Sequence, residues 1–117
     1  MTGVSRMSSA WENLLAATAV LASAGPIKHR LHEAYRAHLA NLDEDDLPKE
    51  LREEFSSLST CMSCVRPMRG ETAVQATVRK MSDRDAGGIA MRIVNMFAVM
   101  SRQSLAQRPK LRAVGED

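Results

Sequence analysis

The chain has 117 residues, a net charge of +2, and 44% hydrophobic against 26% charged residues. That length supports one domain closing its own core, and no run of roughly 18 apolar residues exists to span a membrane. Aromatics are only 3% and methionines number 8. Helix formers such as Ala, Leu, Met, Arg and Glu dominate, and no stretch alternates in the manner of a strand, so the composition points to an all-α protein rather than a sheet.

Residues 1–7 carry no periodic pattern and are expected to be disordered. Ser9-Ala10-Trp11-Glu12 has the form of a capping box, in which the Ser oxygen and the Glu carboxylate satisfy free amides of a first turn. A helix to about Ser23 is predicted from there, with Trp11, Leu14, Leu15, Thr18, Leu21 and Ala22 at helical spacing. The same stretch has an export reading: Arg6, the apolar residues 14–21 and Ala22-Ser23-Ala24 resemble a secretory signal with its cleavage site. Glu12 and Asn13 lie against the apolar stretch and the residues after them form a helical face, which favours a folded helix.

Gly25-Pro26 ends this helix, and Pro26 suits the first turn of the next. Ile27, Leu31, Ala34, Tyr35, His38 and Leu42 form the second apolar face, which makes His38 a hydrogen-bonded core histidine. Asp43-Glu44-Asp45-Asp46 belongs at a junction, because acids oppose the dipole at a helix C-terminus and favour it at an N-terminus. Pro48 opens a third helix whose stripe is Leu47, Leu51, Phe55, Leu58, Met62 and Val65. Residues 66–70 connect it to Thr72-Ala73-Val74-Gln75, a second capping box. A short helix follows, carrying Val74, Thr77, Val78 and Met81. Ser82 caps the last helix, Asp83 and Asp85 occupy its first turn, and it runs to about Gln103. Residues 105–117 read as a polar flexible tail. The expected fold is therefore a compact single-domain bundle of about five helices over residues 8–104.

The last helix is expected to be central and largely apolar. At 100° per residue with Ile89 at zero, Met96, Met100, Ile93 and Phe97 span one sector. Val94, Ala98 and Met91 fall at about 140°, 180° and 200°, and Val99 at about 280°. A helix apolar over so much of its circumference is wrapped by neighbours or shared with a partner. Met91, Val94, Ala98 and Val99 are the expected partner interface. Gly87-Gly88 costs about 1 kcal/mol per residue against Ala, an expense that suits the close approach of another backbone.

Three chemistries compete for the polar residues. Cys61-Met62-Ser63-Cys64 supplies two ligands of the four that structural zinc takes, and His29 and His32 could supply the others. Both pairs fall within helical patterns and not on turns, so Cys61 and Cys64 read first as buried thiols acting as small hydrophobes. A thioredoxin-like role is disfavoured, since that chemistry places CxxC at a helix N-terminus. His32 and Glu33 are adjacent and do not face each other on an ideal helix.

Acids outnumber bases 9 to 6 in residues 1–65, whereas bases outnumber acids 10 to 3 in residues 66–112. This asymmetry supports a nucleic-acid reading in which Arg79, Lys80, Arg84, Arg108, Lys110 and Arg112 neutralise phosphates. Against it, the would-be recognition helix starts with acids and glycines and has an apolar body. No Gly-x-Ser-x-Gly elbow, HExxH, Walker loop or dinucleotide fingerprint is present.

The residues thus favour a small non-enzymatic helical interaction module that binds a protein partner, or itself, through the last helix. A basic nucleic-acid-binding accessory protein using residues 66–112 is the second reading. A zinc-stabilised helical protein using Cys61, Cys64, His29 and His32 is the third. No catalytic residue, cofactor, membrane contact or small-molecule substrate is expected. The expected compartment is the cytoplasm, or an exported location if residues 1–24 are a signal.

Overall fold

A computed structural model of the chain describes the backbone of residues 2–106 and the side chains of residues 9–103. It contains five α-helices: α1 (Thr2–Leu21), α2 (Ile27–Ala34), α3 (Lys49–Met62), α4 (Ala73–Lys80) and α5 (Asp83–Ala106). A π-helical segment, Tyr35–Leu39, prolongs α2, and a 3-10 turn, Glu44–Asp46, precedes α3. No strand occurs among the described residues, so the all-α expectation is met.

Local sequence sets most of the boundaries. Gly25 adopts φ +112°, the left-handed conformation that costs least without a Cβ, and Pro26 follows it directly. Arg30 closes the same corner by donating to the carbonyls of Leu21 and Gly25. A cation at the C-terminal end of α1 also complements its dipole. Asp43 accepts from the Asp45 amide at 3.0 Å, which starts the acidic turn. Thr72 and Gln75 form the expected capping box, at 2.8 and 3.0 Å. Ser82 caps α5 by accepting from the Asp85 amide at 3.0 Å.

Two local expectations are corrected. Helix α1 begins at Thr2, so Ser9 lies inside it and the Ser9-to-Glu12 capping box does not open a helix. Residues 2–7, read from sequence as patternless, are helical in backbone. The second face also changes register at its end. Leu39 is fully buried whereas His38 and Leu42 are only half-buried. The π-helical segment, closed by the Ala40 amide donating to the Tyr35 carbonyl at 2.8 Å, inserts an extra residue into the turn. That rotation carries Leu39 into the core in place of His38.

The core is one cluster built from every helix. Ala10, Leu14, Ala17 and Leu21 come from α1, Leu31 and Ala34 from α2, and Leu51, Phe55, Leu58 and Met62 from α3. Val78 comes from α4, and Ala86, Ile89, Ala90, Ile93, Met96 and Met100 from α5. The stripe predicted for the third helix is buried from Leu47 to Met62, and its last member, Val65, is half-buried.

Helix α5 packs against α1, α2 and α3. Its run against α1 is antiparallel. The Trp11 indole donates to Ser101 Oγ at 2.9 Å and its ring lies 5.7 Å from Phe97, near the far end of α5. At the other end, Arg30 holds the Leu21 carbonyl while Lys28 donates to the Arg79 carbonyl, next to the start of α5. The glycine expectation fails here: a Cβ at Gly87 or Gly88 would meet nothing within 4 Å. No backbone approaches them, and their helix-weakening effect has no packing purpose.

Candidate functional site

Two surfaces collect the residues singled out from the sequence. The first is the outer face of α5. Burial of Ile89, Ile93, Met96 and Met100 fixes which side of the helix faces the core. Met91 is then 63% exposed and Val94 38% exposed, while Ala98 and Val99 are half-buried. Met91, Val94 and Ala98 are three and four residues apart and share one face. Leu15, 41% exposed, lies one turn along α1 from Trp11. Val94 lies one turn back from Phe97. Because Trp11 meets Phe97 with their rings tilted by 38° and the helices are antiparallel, Leu15 and Val94 flank the same seam. The last helix is therefore not wrapped on all sides within one chain.

The second surface is an open cavity of about 510 Å³ at the meeting of α3, α4 and α5. The last turn of α3 contributes Cys61, the chain just beyond it Cys64, the end of α4 Lys80, and the first three turns of α5 Arg84, Gly88 and Arg92. Thr77 closes one side: its hydroxyl accepts from the Val65 amide at 3.0 Å and donates to the Ala73 carbonyl at 2.8 Å. This pins the chain leaving α3 onto α4. Arg92 is held from α3 by Glu54, at 2.8 and 3.2 Å, and by Ser57 Oγ at 3.2 Å. Its pKa is raised, chiefly by the Glu54 hydrogen bonds, with a smaller contribution from Cys61. Lys80 and Arg84 have no carboxylate partner among the described residues. Asp85 is the acid among the lining residues.

Both cysteines are free and exposed, which corrects their reading as buried core thiols. Cys61 sits about a quarter turn from the centre of the Leu51-Phe55-Leu58-Met62 stripe, at 100° per residue. That offset places it on the rim. Cys64 lies beyond the last residue of α3.

The four-ligand zinc site is not assembled. His29 and His32 line a different cavity, of about 310 Å³, with Lys28, Gln75, Val78 and Arg79. Among the described residues no group of three or more His, Cys, Asp or Glu side chains could hold a metal ion. His32 does reach its neighbour, with Nδ1 at 3.5 Å from the Glu33 carboxylate, contrary to the expectation for adjacent helical residues. Arg36 also engages Glu33 at 2.7 Å, and that hydrogen bond is the main cause of the lowered Glu33 pKa.

The basic residues divide. Arg79 forms a two-pronged pair with Glu71 at 2.7 and 3.1 Å, so its charge is spent within the protein. Lys80 and Arg84 are exposed. Arg108, Lys110 and Arg112 lie outside the described residues. The cavity itself leaves no signal in the sequence, because three segments from separate parts of the chain build it. Its lining residues were visible only one by one.

No family model, curated protein or solved structure matches this chain. No helix among the described residues is long and apolar enough to cross a membrane.

Proposed function

We propose that this chain is a small non-enzymatic helical interaction module whose outer α5 face receives a protein partner, with a second copy of the chain as the occupant to test first. The observation that carries this reading is Met91, 63% exposed at mid-helix beside exposed Val94 and half-buried Ala98. Single exposed apolar side chains are ordinary on any protein surface. Three sharing one helical face, with Leu15 flanking the same seam, make a continuous patch. Methionine suits such a patch, because its unbranched, polarisable side chain adapts to the shape opposite. The patch is short and linear, so two copies can bring the same residues together about a two-fold axis.

The test is native mass spectrometry and light scattering of the untagged chain over a range of concentrations. A dimer is expected. Met91→Asp with Val94→Asp should convert it to a monomer while the far-ultraviolet circular dichroism is retained, since both positions are exposed. A variant that still assembles would show that another surface carries the contact. A wild type that stays monomeric throughout would remove the second copy as occupant.

A further inference from the structure

The cavity between α3, α4 and α5 brings together features that the interaction reading does not use. Cys61 and Cys64 are exposed and line the same cavity. Lys80 and Arg84 line it too, without carboxylate partners among the described residues. Gly88 borders it where a Cβ would meet nothing within 4 Å. A glycine that weakens its helix without relieving any contact leaves backbone open to an incoming molecule. The volume, about 510 Å³, is in the range of small-molecule sites.

We propose that this cavity is a thiol–disulfide exchange site for small anionic disulfides, with Lys80 and Arg84 receiving the carboxylates and the two cysteines carrying out the exchange. Cys61 gives its proton to solvent, and its sulfur attacks one sulfur of the incoming disulfide. A Cys61 mixed disulfide forms and one small thiolate leaves. The sulfur of Cys64, its proton also lost to solvent, then attacks Cys61 Sγ and expels the second small thiolate. Two protein thiols become one disulfide, and one small disulfide is reduced to two thiols.

The geometry suits the second step. Cys61 and Cys64 are three residues apart and line one cavity, and a chain that leaves the helix between them is free to bring their Cα atoms within the roughly 7 Å that a disulfide tolerates. Helix α3 ends at Met62, and Ser63, with φ −128° and ψ 24°, has left the helical region, so Cys64 is not held in the hydrogen-bonded ladder. Thiolates are the attacking species, and the negative end of the α3 dipole opposes them. Lys80 and Arg84 supply the opposite field within the cavity, against the one acid among its described lining residues, Asp85, while Arg92 is already paired with Glu54. The exchange should therefore depend on the charge of the small disulfide. The cavity face of α5, at Arg84, Gly88 and Arg92, lies roughly a quarter turn from the Met91-Val94-Ala98 face, so either proposal can fail without the other.

The reduced full-length protein would be incubated separately with oxidised glutathione, which is anionic, and with cystamine, which is cationic, and followed by intact mass. Oxidised glutathione should produce a mixed disulfide that resolves to an internal disulfide. Cys64→Ser should trap the mixed form, mapped by peptide mass to Cys61. Lys80→Glu with Arg84→Glu should lower the ratio of the glutathione rate to the cystamine rate by about tenfold or more, as expected when a steering field is reversed. Both positions are exposed, and circular dichroism would confirm that the variant folds. An unchanged ratio, a Cys61→Ser variant that forms the mixed disulfide as fast as Cys64→Ser, or thiols inert to both disulfides would each overturn the proposal.

Discussion

Thr18 shows how one atom can matter more than its residue's average burial. The side chain is half-buried on α1, but its Oγ1 is sealed from solvent and has no hydrogen-bond partner. A buried hydroxyl without a partner loses its water contacts and regains nothing. Valine has nearly the same shape and no polar atom, and the two residues have similar helix propensity. Thr18→Val should therefore stabilise the chain by about 1 kcal/mol, read as a higher urea midpoint with an unchanged slope. A lower midpoint would mean that the hydroxyl is satisfied after all. Trp11 is the contrasting case, because its indole N–H reaches Ser101 and its ring gains Phe97. Nothing local in the sequence separates these two outcomes, since the partner of Trp11 lies 90 positions away.

Among the elements, the connection from α3 to α4 is held by Thr77 at its start and by Glu71 at its end. Glu71 accepts from the Met68 amide at 3.0 Å and from Arg79 at 2.7 and 3.1 Å. The Arg79 hydrogen bonds, and then the Met68 amide, lower its pKa from 4.5 to about 2. A carboxylate whose pKa is depressed by folding stabilises the folded form above its unfolded pKa. That contribution is lost as the pH falls from about 4.5 towards 2. Carboxyl titration by nuclear magnetic resonance should place the Glu71 midpoint near 2, and exchange of the Met68 amide should quicken across the same window. A midpoint at 4.5 would show that the clamp is not formed in solution. Elements of this kind divide by how local their cause is. The Thr72–Gln75 box, the Ser82 cap and the Leu47-to-Met62 stripe were legible because each depends on residues within a turn or two. The π-helical segment was not: replacing His38 by Leu39 in the core repays an irregular turn only once α1 is packed opposite. The rim position of Cys61 was also hidden, since a residue at the edge of a stripe is buried or exposed according to what lies across from it. The open space at Gly87 and Gly88 has the same origin.

At the scale of the whole molecule, α1 decides whether the bundle is one cooperative unit. Residues 1–24 could be read from sequence as a removable signal or as a structural helix, because both are short apolar stretches with small residues at the end. In the fold, Leu14 and Ala17 are fully buried and Leu21 is 6% exposed. They pack in one cluster with Leu31, Ile93 and Met96. Burial of Leu14 and Leu21 alone contributes roughly 1.5–3 kcal/mol each. Their removal would also expose the facing side chains of α2 and α5. A domain of this size has only about 5–15 kcal/mol of net stability, so a chain beginning at Gly25 should lose most of it. Such a chain should show reduced helicity and no cooperative thermal transition, and the exposed α2 and α5 surfaces should promote aggregation. A sharp transition near that of the full chain would mean that α2 to α5 form a complete core without α1. The seam between Leu15 and Val94 would then be no part of the module, and the partner would have to be sought on the side of α5 that α1 now covers.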